Sequence, residues 1–181
     1  MESALCFISK CKPVKDPQFI AFNIPGMQGG IHRGFFVVEF EQCYVITTHL
    51  DPHAHQGSIR AKQIEAILAH MKNLSDKSVV FMGDLNIESQ DIEACKLLKE
   101  HFPNFKEQDV LHPTAENATC FDNLPQVARN PRLAPQWTVL DHILVRSLSV
   151  QNIFEEKVCT FDLTQLSQAL SDHHAVTLKL V

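Results

Sequence analysis

The early part of the chain alternates apolar and polar residues in the manner of β-strands. The runs FFVVEF (35–40) and CYVITTHL (43–50) are rich in aromatic and β-branched side chains, which favour extended structure. Only Glu41 and Gln42 separate the two runs. The pattern therefore predicts a β-hairpin, although these are not the turn residues that hairpins prefer.

The following segment changes to the period of a helix. Residues 58–72 place apolar side chains three and four positions apart, and Ser58 is a suitable N-cap. The apolar positions are Ile64, Ile67, Leu68 and Met71. A buried strand is then predicted at residues 79–82 and a second helix at residues 91–102.

Residues 103–136 are rich in proline and have no clear period, which predicts a long loop of the kind that often carries function. Two more strands are predicted, at residues 138–146 and 175–181. This mixture of buried strands, helices and one hairpin predicts an α/β or α+β fold with strands in both directions.

Composition narrows the class of protein. The 181 residues contain no linker or repeat, so a single domain over residues 1–181 is predicted. No apolar run approaches the roughly 20 residues of a membrane helix, and no secretory signal is visible, so we expect a soluble and cytoplasmic protein. The net charge of −5 argues against nucleic acid as the main partner. The cysteines form no CxxC pair, which leaves no sign of a zinc or redox motif.

Ionisable and amide side chains occur at or near the ends of the predicted strands, where sheet proteins collect catalytic groups. They are His49, Asp84, Asn86, Asp141, Asp172 and His173. Asp141 lies within an apolar run and should have a partner, because an unpaired buried carboxylate is unfavourable. The histidines interpreted as structural or solvent-facing are His53, His55, His142 and His174.

Several of these residues also have a purely structural interpretation. His49 suits a hydrogen-bonded structural histidine, and Asp172 suits a turn cap. Asp84 and Asn86 suit an Asx turn, in which the side chain bonds its own backbone. Taken together, however, imidazoles, carboxylates and an amide suit phosphoester hydrolysis, because they supply a base, phosphate donors and ligands for a hard cation. Oxygen ligands favour Mg²⁺ over Zn²⁺.

The motifs THL, GDLN, LDHILV and SDHHAV occur in this order, and the chain resembles the endonuclease/exonuclease/phosphatase superfamily at these residues. The segment SALCFISKCKPV is similar to an N-terminal strand of that family. The resemblance covers nearly the whole chain. It implies a four-layer sandwich of two packed mixed β-sheets flanked by helices, and metal-dependent cleavage of phosphoesters by water.

The resemblance also implies a role for each site residue. His173 would be the general base for the attacking water, with its imidazole oriented by Asp141. Asp84 and Asn86 would position the water and the phosphate. His49 would stabilise charge that develops on the phosphate oxygens. Asp172 would lie at the metal ion, Mg²⁺ or Mn²⁺.

The chain departs from the family pattern before its ALCFISK segment, where the family has a strand ending in Asn and a later Glu that binds the metal. The domain is therefore expected to lack its first strands and helix, and this polypeptide alone is expected to hydrolyse phosphodiesters poorly. An alternative interpretation is a catalytically impaired fragment that acts as a binding module.

The substrate class is suggested by the segments from HRGFF to the R-x-x-Q sequence and by TCFDN, which resemble sphingomyelinase-like members. A phosphodiester of the phospholipid or sphingomyelin type is therefore favoured over nucleic acid, together with peripheral contact with a membrane. The alternative within the same chemistry is a Mg²⁺-dependent nuclease or deadenylase. Arg60 and Gln63 are interpreted as bracing the helix rather than contacting substrate.

Overall fold

Strands and helices alternate in the computed structural model, which describes residues 8–25, 33–114, 117–122, 136–146, 155–159 and 175–179. The strands are β1 (Gln18–Ala21), β2 (Gly34–Glu39), β3 (Cys43–His49), β4 (Ser78–Asp84), β5 (Cys120–Asp122), β6 (Gln136–Thr138), β7 (Asp141–Arg146), β8 (Glu155–Cys159) and β9 (Ala175–Lys179). The α-helices are α1 (Gly57–Met71), α2 (Ile92–His101) and α3 (Glu107–Leu111), and a short 3-10 helix, Ala54–Gln56, precedes α1. None of the described helices has the length and apolar character that crossing a bilayer requires.

A mixed sheet organises the fold, with five strands in the order β1-β2-β3-β4-β7. The strands β1, β2 and β3 form an antiparallel meander, which confirms the predicted hairpin. Because α1 carries the chain back across the sheet, β4 lies parallel to β3, and β7 then pairs antiparallel with β4. The predicted α/β class with strands in both directions is confirmed. Two-stranded ladders join β5 to β6 and β8 to β9, and a second packed sheet stays a prediction.

One face of this sheet forms the core. Val37, Ile46, Phe81 and Leu144 are successive cross-strand partners, and all of them are buried. The same cluster contains the four apolar residues predicted to line α1, together with buried residues of α2. Since each such side chain stabilises the fold by about 1.5–3 kcal/mol when buried, this packing holds the sheet rigid beneath the strand ends.

The start of α1 differs from the prediction. The helix begins at Gly57, and no side chain caps it, so Ser58 is not its N-cap. The 3-10 turn leads directly into the helix, with the Gln56 N–H donating to the His53 carbonyl at 2.8 Å. Because this turn already orders the backbone, a serine cap one residue later is not needed.

The predicted strand at residues 138–146 is in fact two strands. β6 ends at Thr138 and β7 begins at Asp141, so Asp141 starts a strand instead of lying inside one. The break follows from the hydrogen bonds of Leu140, whose carbonyl accepts from the Leu85 N–H at 2.8 Å and whose N–H donates to Thr119 Oγ1 at 2.9 Å. At Leu140, hydrogen bonds to these distant residues take the place of the hydrogen bonds between paired strands.

Other local elements were missed or misplaced by the sequence pattern. The described part of the N-terminal motif, residues 8–14, is not a strand, and the edge strand is β1 instead. Pro13 and Pro17 explain the delay, since neither has an N–H to give to a ladder. The region predicted to be irregular contains α3, β5 and the start of β6, which are too short to show a period. β8 was also missed, and the described part of the last predicted strand forms β9, while residues 180–181 lie outside the described residues.

Candidate active site

Three of the predicted site residues stand side by side at one edge of the sheet. His49 ends β3, Asp84 ends β4, and Asp141 begins β7. The register pairs His49 with Asp84 and Asp84 with Asp141. Parallel strands end at the same edge, and an antiparallel neighbour starts there, so the topology brings the three side chains together. The predicted convergence of these residues is therefore seen in the described structure.

His49 and Asp84 are in direct side-chain contact at this edge. The distance from His49 Nε2 to Asp84 Oδ2 is 3.5 Å, and the side chains are 28% and 18% exposed. The pair is thus reachable from solvent yet partly desolvated, which strengthens its electrostatic interaction relative to a surface pair. Such a pair can present an imidazole N–H or a carboxylate oxygen to a bound anion or water.

The Asx turn predicted as the alternative for Asp84 and Asn86 is also present. Asp84 Oδ1 accepts from the Asn86 N–H at 3.0 Å, and Asn86 has a φ of +48°. An amide side chain tolerates this left-handed conformation better than most residues do. The turn and the site are therefore the same structure, because the turn fixes one carboxylate oxygen while the other faces His49.

The segments that leave β3 and β4 are tied to each other by Leu50. The Leu50 N–H donates to the Asp84 carbonyl at 3.0 Å, and Asn86 Nδ2 donates to the Leu50 carbonyl at 3.3 Å. Leu50 itself is fully buried. The amide of Asn86 thus holds the backbone next to His49, in addition to any role toward substrate.

Thr119 holds the backbone of Asp141 in place. Its Oγ1 accepts from the N–H groups of both Leu140 and Asp141 at 2.9 Å, and the side chain is buried. Thr119 belongs to the TCFDN segment that carries the family resemblance, but no role was predicted for it. The motif contains this threonine, but only the fold shows that its hydroxyl fixes the start of β7.

Arg33 is a further residue at this edge that the sequence analysis did not identify. Its Nη1 donates to the carbonyls of His49 and Leu50 at 3.4 and 3.1 Å. Arg33 is half-buried, and its guanidinium has no ion-pair partner within the described ranges. A basic residue directly before the glycine-aromatic strand could have been recognised as a source of positive charge near the site.

His142 follows Asp141 but turns into the core, as its structural interpretation predicted. Its ring packs on Phe105, and Nε2 lies 3.2 Å from the Val139 carbonyl. Burial lowers the pKa of His142 to about 4 from its ordinary value of 6.5. The imidazole is therefore neutral at pH 7 and does not supply charge to the site.

The lowered pKa of His142 predicts a loss of stability in acid. Between pH 6.5 and about 4 the unfolded chain binds a proton that the folded chain does not, so the free energy of unfolding falls as the pH falls. The full effect of this group is roughly 3 kcal/mol. Urea unfolding at pH 7 and pH 4 measures this loss. Between the two pH values, the free energy of unfolding should decrease less for His142→Gln than for the wild-type chain. Equal decreases in both proteins would contradict this assignment.

Comparison with known sequences places the chain in a family. The sequence pattern described as the Endonuclease/Exonuclease/phosphatase family matches residues 4–173, which include every predicted site residue. The chain belongs to this family. Its members are phosphoric ester hydrolases that generally use divalent metal ions. No curated protein matches the chain.

Solved structures agree with the family assignment. Truncated Caenorhabditis elegans TDP2 is 15% identical, with 96% of this chain and 68% of that chain covered and a TM-score of 0.61. D. rerio TDP2 complexed with single strand DNA product is 20% identical, with 90% and 65% covered and a TM-score of 0.59. Sphingomyelinase C from Streptomyces griseocarneus is 21% identical, with 80% and 53% covered and a TM-score of 0.55.

These likenesses show a shared fold. The chain spans between 53% and 68% of the length of the three structures. The resemblance to the endonuclease/exonuclease/phosphatase family is confirmed, and the similar structures include a sphingomyelinase as well as TDP2.

Two site residues expected of a family member, Asp172 and His173, lie outside the described residues. Within the described ranges, no group of three or more histidine, cysteine, aspartate or glutamate side chains is arranged to hold a metal ion. Asp84 and Asp141 offer oxygen atoms of the kind that Mg²⁺ prefers, but they do not form a complete metal site by themselves. The described part of the site thus contributes an imidazole and two carboxylates, and the metal remains a prediction.

Proposed function

We propose that this chain is a metal-dependent phosphodiester hydrolase that acts on a phospholipid or sphingomyelin type of substrate. The observation that supports the proposal most strongly is the row of His49, Asp84 and Asp141 on three neighbouring strands at one sheet edge. A rigid edge that presents an imidazole and two carboxylates suits water attack on phosphorus, because the reacting groups are held in place before substrate binds.

In the proposed reaction, His173 accepts a proton from the attacking water, and the oxygen of that water bonds to phosphorus. The bond from phosphorus to the leaving-group oxygen breaks as the new bond forms, the leaving oxygen takes up a proton from solvent, and His173 then releases its proton to solvent. Asp141 orients the imidazole of His173. Asp84 and Asn86 position the water and the phosphate, and His49 stabilises negative charge on the phosphate oxygens.

Mg²⁺ or Mn²⁺ is the proposed cofactor, with Asp172 at the metal. When bound, the ion would neutralise charge on the phosphate. Isothermal titration of the purified chain with MgCl₂ tests this directly and does not depend on activity. Asp172→Asn should weaken the measured binding, whereas an unchanged titration would remove Asp172 from the metal site.

The phospholipid assignment is supported by charge. The chain has a net charge of −5, which does not attract a polyanion, while a single phosphodiester needs only local positive charge. Arg33 can supply that charge beside His49, because its guanidinium lies at the site edge without an ion-pair partner among the described residues. Among the described residues, this cation next to the imidazole of His49 forms a small basic surface, which suits one phosphate better than a strand of nucleotides.

The test is hydrolysis of sphingomyelin in detergent micelles, single-stranded DNA and bis(p-nitrophenyl) phosphate by equal amounts of the chain and its Asp84→Asn variant. The ratio of the two rates isolates the contribution of Asp84, so it matters more than either rate. We expect at least about a hundredfold difference on sphingomyelin. Faster cleavage of DNA than of sphingomyelin would indicate the nuclease alternative. Equal rates for both proteins on every substrate would contradict the proposed function and favour the binding module.

A further inference from the structure

The segments that follow the two site strands meet at a buried ion pair. Residues 50–56 follow His49, and residues 85–91 follow Asp84. Arg60 of α1 lies between them and contacts Asp91, the residue directly before α2. The side chains of Arg60 and Asp91 are 0% and 2% exposed. The pair therefore lies in the interior, behind the sheet edge that carries the site.

One side of the Arg60 guanidinium binds the segment after β4. Nε and Nη2 donate to Asp91 Oδ2 at 2.8 and 2.7 Å. The same oxygen accepts from the Glu88 N–H at 3.1 Å. Three donors thus converge on one carboxylate oxygen, which fixes the turn that leads from Asn86 to α2.

The other side of the guanidinium binds the segment after β3. Nη1 donates to the carbonyls of Asp51 and His53 at 3.0 and 2.7 Å. One helical turn away, Gln63 Oε1 accepts from the Asp51 N–H at 3.0 Å. Both polar groups of the Asp51 backbone are therefore held by side chains of α1.

The start of α1 packs closely against this ion pair at Gly57. A Cβ added to Gly57 would lie 2.2 Å from Asp91 Oδ1, so the start of α1 rests directly on the carboxylate. A planar guanidinium can serve both segments at once, whereas an ammonium group has no fixed fork of donors. Buried ion pairs are often no more stabilising than apolar side chains of similar volume, so stability alone gives a weak reason for this arrangement.

We propose that Arg60 is a positioning residue that holds His49 at its working distance from Asp84, by joining the segment after β3 to the segment after β4. The consequence for catalysis rests on the proposed function, but the positioning itself does not. Loss of the hydrogen bonds of the Arg60 guanidinium should weaken the hydrogen bond from the Leu50 N–H to the Asp84 carbonyl, which joins the two segments beside the site. The kcat should fall more than KM changes, because misplaced groups reduce transition-state stabilisation.

The experiment compares Arg60→Lys with Ile67→Val, a conservative change at a fully buried position of the same helix. Amide hydrogen exchange of Leu50 is measured at equal margins below each melting temperature. We expect Arg60→Lys to reduce the protection of Leu50 by at least about tenfold more than Ile67→Val does. A parallel assay should show kcat lowered about ten- to a hundredfold by Arg60→Lys, with KM within about threefold. Gln63→Met should also reduce the protection of Leu50 and lower kcat, but by smaller factors than Arg60→Lys does.

The outcomes separate the two proposals. Unchanged Leu50 protection in Arg60→Lys would overturn the positioning role, whatever the activity. Reduced protection with unchanged kcat in an active enzyme would show that Arg60 is structural only, and would also overturn it. If the wild-type chain and Asp84→Asn have equal rates, the proposed function fails, and reduced Leu50 protection would still support the role of Arg60 in placing His49. If Arg60→Lys does not fold, Asp91→Asn decides by the same exchange measurement, because it keeps Arg60 and removes the charge on the carboxylate that its Nε and Nη2 bind.

Discussion

Replacing His173 by alanine is expected to lower kcat by about a thousandfold, while His174→Ala should change it by less than about threefold. His173 is the proposed base that takes the proton of the attacking water, so its loss removes a group used in the transition state. His174 is its neighbour in SDHHAV and has no proposed role in the reaction. Steady-state kinetics with sphingomyelin and bis(p-nitrophenyl) phosphate measure the contrast.

Each variant serves as the control for the other, because both remove one imidazole from adjacent positions. Similar melting temperatures for the two proteins would assign the difference in kcat to chemistry rather than to folding. The pH profile of kcat gives a second test, since a general base produces an acidic limb that His173→Ala should lose. Retained turnover in His173→Ala, or an equal loss in both variants, would remove His173 from the mechanism.

Gly83→Ala should destabilise the folded chain by about 3 kcal/mol or more, a large effect for the addition of one methyl group. Gly83 has a φ of +144°, a conformation that side chains rarely adopt. A Cβ at this position would lie 1.9 Å from the Thr48 carbonyl oxygen, which is a backbone atom and cannot rotate away. The substitution must therefore push β3 and β4 apart next to His49 and Asp84.

Urea unfolding monitored by fluorescence or circular dichroism measures this loss. Ser89→Ala is the control, because Ser89 is an exposed residue in the segment that follows the same strand. We expect that variant to change the free energy of unfolding by less than about 1 kcal/mol. An equal, small effect of both substitutions would mean that the backbone at Gly83 is not as close to Thr48 as the structure shows. A folded Gly83→Ala protein should also lose activity, since its strand ends would separate.

The elements that the sequence predicted well are those whose burial alone sets their pattern. The apolar stripe of α1 and the run in β4 both face one core, and their periods follow from that burial. The ordered motifs identified the family as well, and they placed His49 and Asp84 at strand ends, whereas Asp141 was predicted inside a strand and in fact begins one. Strands whose first residue depends on contacts with distant parts of the chain were misplaced or missed. β7 begins at Asp141 because Thr119 binds its N–H, and β1 follows two prolines that delay strand pairing.

The sequence by itself determined the α/β class, the family and the set of polar residues at the strand ends, because periodicity and motif order are properties of the linear chain. Only the tertiary structure decided which of those residues meet. The parallel and antiparallel register sets the row from His49 to Asp141, and the Arg60–Asp91 pair joins the segments beside it. These contacts connect positions far apart along the chain, so no local pattern can encode their distances. The physical reason is that strand pairing and the burial of an ion pair depend on contacts between many segments of the packed fold.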